Sequence, residues 1–495
     1  MDIVTKNRIT AEEYCKKASK LIKEGKLEEA IAQYDGALKV NPRYIPALNQ
    51  LGTIYENKKE FDKASALYQQ ILELRPQRAL VRAKLGRTMM EKGELKGAIA
   101  AYEQAIAQNE DLPAWVYFSF GNALDESGEL ERASAMYQKA IAINPDNAFL
   151  YQKLGNALWK TNSRFKEVIA AYQKAIDLNP KNPHLYRSLA KILYDINKKN
   201  ISEAIDYNQK AIYYFLVDSH PEFISQHWDS SKLMPPEFLI IGMRKCGTTS
   251  LYDYLLEHPQ ILPAIEKEIH VLSCHRDLLT EKEQNWYFSH FPKRPEGKQF
   301  ITGEASTTYI DTPGLPKIIF AHFPQAKIIV ILRNPVDRVI SHYYHRVRVG
   351  LETETLEKVV NLEIEALETV PETEAIYLAF SQQGKQFKWE KVPVWSWYLP
   401  NSMYVYYLEQ WFSIWPREQF LILRNEDLSQ NPAGTMEKTF KFLSLPDYKS
   451  SQYQRHNQGG YSANIDEDLC RRLTDFFRPH NQRLEEYLGM EFNWD

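Results

Sequence analysis

Cysteine is scarce: the chain holds only Cys15, Cys246, Cys274 and Cys470, far apart and with no C-x-x-C pair. That excludes a disulfide framework and the common zinc-site spacing. No run of about eighteen uncharged apolar residues occurs, so no membrane-spanning helix is expected. The opening "MDIVTKNRIT" lacks the apolar segment of a secretory leader, and the expected location is the cytoplasm. A charge excess is missing too. With 61 basic against 64 acidic residues, nothing points to a nucleic-acid or membrane-surface partner. What is present is length and apolar content: 495 residues at 44% hydrophobic can fold as two or more domains with separate cores.

The first part of the chain repeats itself. Ala18, Gly52, Gly86, Gly121 and Gly155 recur at spacings of 34 or 35 residues, followed by Ala30, Ala64, Ala98 and Ala133 and then by Tyr34, Tyr68, Tyr102 and Tyr137. A degenerate sixth copy, "LAKILYDINKKNISEAIDYNQKAIYYF", ends near residue 215. A small residue on a first helix lets the second approach closely, and the aromatic residue fills the gap. Pro42, Pro76, Pro145 and Pro180 stop the second helices, since the residue before proline avoids helical conformation. The pattern resembles tetratricopeptide repeats, which implies a helical solenoid over 1–215 and a peptide or protein ligand in its groove. A spacer or dimerisation module is the plainer alternative. The tyrosines read as core residues.

Residues 216–236, with Pro221, Pro235 and Pro236, read as a connector. From Glu237 to 495 the pattern alternates. "FLII" (238–241), "KIIVIL" (327–332) and "QFLIL" (419–423) suit strands buried on both faces, and 248–257 and 335–348 suit helices. The expectation is a three-layer α/β domain with a central parallel sheet and ligands beyond the carboxyl ends of its strands.

"FLIIGMRKCGTTSLYDYL" (238–255) is a strand, a glycine-bracketed turn and a helix start. Gly242 and Gly247 permit a tight loop whose amides face inward, and the helix N-terminus favours a phosphate or sulfate. An ordinary nucleoside-triphosphate loop would need lysine at 248, where this chain has Thr248; Lys245 stands inside the loop instead. With "HPQI" after it, the segment resembles the 5'-phosphosulfate loop of sulfotransferases, particularly the heparan sulfate and related carbohydrate group. The resemblance implies 3'-phosphoadenylyl sulfate as donor, held by Lys245, Cys246, Gly247, Thr248, Thr249 and Ser250, with no metal.

Further pieces carry the same resemblance. "KIIVILRNPVDRVISHYYH" (327–345) is similar to the family's 3'-phosphate motif, which implies Arg333 and Ser341 on that phosphate, a guanidinium forking onto it bidentately. "AIEKEIHVLS" (264–273) resembles the E-x-H segment. This implies Glu268 as general base with His270 beside it; Glu266 competes for that role and Lys267 reads as solvated. In an extended stretch Glu268 and His270 would face one side. "GEASTTYI" (303–310) matches a segment running from Glu304 to Tyr309. In the tail, Gly459, Gly460 and Tyr461 are candidates for a loop covering the donor. The match spans 237–495 except roughly 350–400.

Where heparan-type enzymes often carry charges, this chain has Thr249, Ser273 and Ala305, which argues against a heparan-like acceptor. The expected reaction is sulfuryl transfer to a hydroxyl or amine of a carbohydrate, peptide or small molecule. A magnesium-dependent phosphotransferase and a noncatalytic repeat scaffold are the rival classes.

Overall fold

The computed structural model describes residues 3–198, 201–228, 232–274, 279–295, 297, 300–368, 397–450, 453 and 465–494. They form two compact units, Met1–Ile196 and Asn197–Asp495.

The first unit is a solenoid of helix pairs: α1 (Ile3–Lys23) with α2 (Leu27–Val40), α3 (Ile45–Asn57) with α4 (Phe61–Leu74), α5 (Ala79–Glu91) with α6 (Leu95–Gln108), α7 (Ala114–Glu126) with α8 (Leu130–Ile143) and α9 (Ala148–Lys160) with α10 (Phe165–Leu178). Then α11 (Pro183–Ile196) ends it. The second helices bury one face at helical spacing, for example Ala30, Tyr34 and Ala37 in α2 and Ala64, Tyr68 and Ile71 in α4. The recurring small residue faces its own repeat's tyrosine: a Cβ on Gly52, Gly121 or Gly155 would come within 2.6, 2.7 or 2.8 Å of the ring of Tyr68, Tyr137 or Tyr172. Close approach of the two helices therefore requires glycine there. α2, α4, α8 and α10 each end two residues before a proline, as the spacing predicts.

The second unit begins with the last repeat helix, α12 (Ser202–Leu216), followed by α13 (Pro221–His227). Repeat pattern and packing thus divide the sixth copy differently. On α12 the buried Asn208 Nδ2 donates to Ser289 Oγ at 3.1 Å, and Gln209 Nε2 donates to the carbonyls of Ser289 and Phe291 at 2.8 and 3.1 Å.

Five parallel strands follow: β1 (Phe238–Ile240), β2 (Ile261–Pro263), β3 (Ile301–Ala305), β4 (Lys327–Leu332) and β5 (Phe420–Arg424), in the order β2-β3-β1-β4-β5. Every residue of β1 and β3 is buried, and all of β4 except Lys327, so both faces are covered. Around the sheet run α14 (Thr248–Leu255), α15 (Glu281–Phe288), α16 (Leu315–His322), α17 (Pro335–Arg348) and further helices, including Tyr404–Phe412, Pro432–Leu443 and Glu467–Leu488. The helical solenoid and the parallel-sheet domain are those expected from the sequence. β1 lies centrally, so its outgoing loop is flanked by the ends of β3 and β4.

Candidate active site

The β1–α14 loop crosses β4 closely: a Cβ on Gly242 would lie 2.7 Å from the Ile331 carbonyl. Lys245 and Gly247 both take left-handed backbone, at φ of 72° and 96°. At Gly247 a side chain would also meet Asn425 Nδ2 at 2.2 Å, so only glycine fits. For Lys245 that conformation is strained, which marks functional loops held by their surroundings.

What holds it are three consecutive carbonyls, each bound from outside. Arg338 Nη1 donates to Arg244 O at 3.4 Å, Arg333 Nη1 to Lys245 O at 3.2 Å, and Asn425 Nδ2 to Cys246 O at 3.0 Å. Among the described residues, the backbone N–H groups of Gly247, Thr248, Thr249 and Ser250 donate no hydrogen bond. Those free amides and the N-terminal end of α14 make a ready anion cradle.

Lys245 is half-buried beside it. Burial, then the charges of Arg348 and Arg333, lowers its pKa below the ordinary lysine range. Such concentrated positive charge favours a polyanion. Cys246 uses its groups within the protein: its N–H bonds Met243 O at 3.2 Å, and its buried thiol lies 3.5 Å from Tyr404 Oη. Burial raises that thiol's pKa, which makes it inert.

Arg333 follows β4. Next to it, Asn334 caps α17 by accepting from Val336 N and Asp337 N at 2.9 and 3.4 Å, with Pro335 at the first helical position. Asn334 N donates to Glu426 Oε1 at 2.8 Å, and Tyr404 Oη donates to Arg333 O at 2.9 Å. Arg333 is thereby locked onto the loop. Ser341, further along α17, is buried at 3% exposure.

The 264–273 segment is irregular rather than extended after β2, and His270 has φ of 56°. It nevertheless brings Glu268 and His270 together. His270 Nε2 lies 3.2 Å from Glu268 Oε2, its Nδ1 is 3.2 Å from Thr308 Oγ1, and Lys267 Nζ donates to Glu268 Oε1 at 3.2 Å. Lys267 also donates to Thr249 Oγ1 at 2.7 Å and Thr248 Oγ1 at 3.4 Å. The residue read as solvated therefore ties the carboxylate to the cradle. Each carboxylate oxygen retains a second lone pair for an incoming proton donor.

Beneath this segment Glu304 of β3 is fully buried. Its Oε2 accepts from Ile269 N at 3.2 Å and Ser306 Oγ at 2.6 Å, and its Oε1 from Tyr287 Oη and Tyr309 Oη at 2.5 and 2.8 Å. Burial raises its pKa despite these donors. Glu304 thus pins the residue between Glu268 and His270. The sequence paired Glu304 with Tyr309 but offered no signal for Tyr287, which arrives from α15. Ala305 N donates to Lys267 O at 3.1 Å and Ser273 Oγ to His270 O at 2.9 Å, so positions lacking the expected charges brace the same turn. Gly459, Gly460 and Tyr461 lie outside the described residues.

Residues 235–464 match the family model for the sulfotransferase domain, and tetratricopeptide-repeat models match 21–88, 121–162 and 150–182. This chain carries tetratricopeptide repeats followed by a sulfotransferase domain. The human heparan sulfate glucosamine 3-O-sulfotransferase 6 is 28% identical over 282 residues, covering 52% of this chain and 73% of that protein. The human bifunctional heparan sulfate N-deacetylase/N-sulfotransferase 2 is 28% identical over 281 residues, 51% of this chain and 29% of that protein. A solved sulfotransferase from Alicyclobacillus acidocaldarius is 26% identical with a TM-score of 0.39, over 53% of this chain and 99% of that one. In the sulfotransferase domain, then, the cradle and Arg333 follow the adjacent strands β1 and β4, and Glu268 follows β2, one strand further along on the other side of β3. No helix among the described residues is long and apolar enough to cross a membrane.

Proposed function

We propose that the sulfotransferase domain moves a sulfuryl group from 3'-phosphoadenylyl sulfate to a hydroxyl or amine acceptor, with Glu268 as general base. The observation that carries this reading is the bridge from Glu268 through Lys267 to Thr249, which sets a carboxylate beside a cradle of free amides. The donor's chemistry fits the residues present: amides of 247–250 with Lys245 for its 5' end, Arg333 and Ser341 for its 3'-phosphate. When bound, it supplies an activated sulfuryl group.

Glu268 takes the acceptor's proton as its oxygen or nitrogen attacks. His270, oriented by Thr308, holds the second carboxylate oxygen, and Lys267 holds the first. Lys245 and the loop amides stabilise negative charge developing on the sulfuryl and leaving-phosphate oxygens. The acceptor belongs to the carbohydrates, peptides or small molecules, and the repeats bind a peptide or protein partner.

The test uses the full chain. Thermal shift should show stabilisation by 3'-phosphoadenosine 5'-phosphate without magnesium, and transfer of labelled sulfate from the donor should modify a component of a glycan, peptide and metabolite panel. Stabilisation only by magnesium ATP, or by neither nucleotide, would overturn the reading.

A further inference from the structure

Arg338 of α17 is completely buried, and each arm of its guanidinium meets a different group. Its Nε donates to Ser402 Oγ at 2.5 Å, its Nη2 to Tyr398 O at 2.6 Å and its Nη1 to Arg244 O in the β1–α14 loop at 3.4 Å. Ser402 Oγ in turn donates to Tyr398 O at 3.0 Å.

The helix that follows, α18 (Leu356–Glu368), buries a carboxylate against the same turn. Glu363 Oε1 accepts from Tyr398 N at 2.8 Å and Oε2 from Leu399 N at 2.7 Å. The Tyr398 carbonyl and the Leu399 N–H belong to one peptide group. That group therefore stands between a buried guanidinium and a buried carboxylate. A pair serving stability alone would fork together directly. With a peptide between them, the place of the guanidinium depends on how firmly the carboxylate holds the backbone.

The other end of Arg338 reaches the loop. The Arg244 carbonyl and the Lys245 N–H share a peptide group too, and in a trans peptide the two point opposite ways. Holding the carbonyl on one side turns the N–H to the other, where, among the described residues, it donates no hydrogen bond. It is one more free amide of the loop.

We propose that Glu363 is a positioning residue for the donor site: it fixes Tyr398 and Leu399, they fix the Arg338 guanidinium, and the guanidinium fixes the peptide that offers the Lys245 N–H to the 5' end of the donor. This role rests on the loop being the donor site. Glu363 lies within the stretch, roughly 350–400, where the sequence resembles the sulfotransferases poorly, so the contact ties that stretch to the cradle.

The carboxylate form makes the relay, because each oxygen accepts from an N–H and a proton on either would face a donor. Burial raises the Glu363 pKa to about 7, against the Leu399 and Tyr398 N–H groups and the charge of Arg338; Glu352, which accepts from Tyr398 Oη at 2.8 Å, adds to the rise. His342, whose ring centroid lies 5.0 Å from that of Tyr398, stays neutral, since burial and then Arg338, Arg244 and Arg346 lower its pKa. Burial raises Asp311 to about 7 as well, against Arg244 and Arg338, so Asp311 needs its own control.

Titration calorimetry of the full chain with 3'-phosphoadenosine 5'-phosphate, from about pH 6 to about pH 9, tests the proposal against Glu363→Gln and Asp311→Asn. Glutamine copies the protonated acid in shape and in facing an amide with a donor. Well above pH 7 the unaltered chain should bind about tenfold more tightly than Glu363→Gln, the order of one charge-assisted hydrogen bond. The ratio should shrink toward one as pH falls through about 7, because both proteins then lack the carboxylate. Titration of the nucleotide and of Lys245 is common to both proteins and leaves the ratio alone. Asp311→Asn should keep the profile of the unaltered chain. Equal affinities throughout, a ratio independent of pH, or loss of the profile in Asp311→Asn would each overturn the role of Glu363, whereas no binding by any of the proteins would overturn the donor site itself. Should Glu363→Gln fail to fold, hydrogen exchange on the unaltered chain decides. Nucleotide should slow exchange at Tyr398 and Leu399 as well as in the loop, since coupling between sites is reciprocal, and slowing confined to the loop refutes the relay.

Discussion

The Arg333 guanidinium donates to the Lys245 carbonyl at 3.2 Å, so the two segments proposed to hold the donor, 88 residues apart, form one object. An arginine expected on the 3'-phosphate thereby also shapes the loop expected around the 5' end. The proposed phosphate contact and the observed carbonyl contact together would not be served by lysine, whose single ammonium lacks the planar fork.

Arg333→Lys and Arg333→Ala should both weaken binding of 3'-phosphoadenosine 5'-phosphate. Loss of charge-assisted hydrogen bonds costs about 1.5–3 kcal/mol, or roughly ten- to a hundredfold in affinity. Titration calorimetry measures this, and retention of full affinity by Arg333→Lys would refute the dual role.

Lys245 sets a pH limit. Burial favours its neutral amine, so the folded chain releases this proton below the unfolded value of about 10.4. Its contribution to stability is therefore present above the unfolded pKa and lost as pH falls through the lowered native one. The proposed donor capture should have the opposite dependence, because it would use the ammonium. The kcat/KM for donor should fall as pH rises through the lowered pKa, and Lys245→Arg should move that alkaline limb upward. A limb that stays in place assigns it to another group.

Glu268→Gln removes the proposed proton acceptor but can keep the contact with Lys267. Turnover should drop about a hundredfold or more, with nucleotide affinity changed little. Pre-steady-state transfer and calorimetry on one preparation separate these quantities; normal transfer would send the search for the base to Glu266.

The boundary of the sulfotransferase unit is testable by truncation. A chain beginning at residue 197 keeps α12 and should melt cooperatively. One beginning at 217 loses Asn208 and Gln209, leaving Ser289 Oγ and the Ser289 and Phe291 carbonyls short of donors, at about 1–3 kcal/mol for each buried group left unpaired. Its melting temperature should be several degrees lower. Equal melting temperatures would place α12 outside the unit's stability.

The elements legible in sequence are those with a strong local pattern. β4 is a near-continuous apolar run bounded by a charged residue and by Arg333-Asn334-Pro335, and its bounds match the expected ones. β2 is only Ile261–Pro263, and β3 is "ITGEA" with a buried carboxylate; neither declares a strand by hydrophobicity, because pairing with neighbours rather than composition makes them strands. Within the site, the pairing of Glu268 with His270 was legible, but the irregular backbone that achieves it was not. A left-handed His270 and the Glu304 contact to Ile269 produce it, and both depend on residues distant in sequence.

By itself the sequence determined the periodic solenoid, the glycine-bracketed loop and the identity of the charged groups, because helix period, backbone freedom at glycine and side-chain charge are local properties. Only the tertiary structure decided that Lys267 joins Glu268 to the loop, that Arg333 grips Lys245 and that α12 belongs with the second unit. Those facts depend on which distant chain segments become neighbours, and that is settled when the whole core packs.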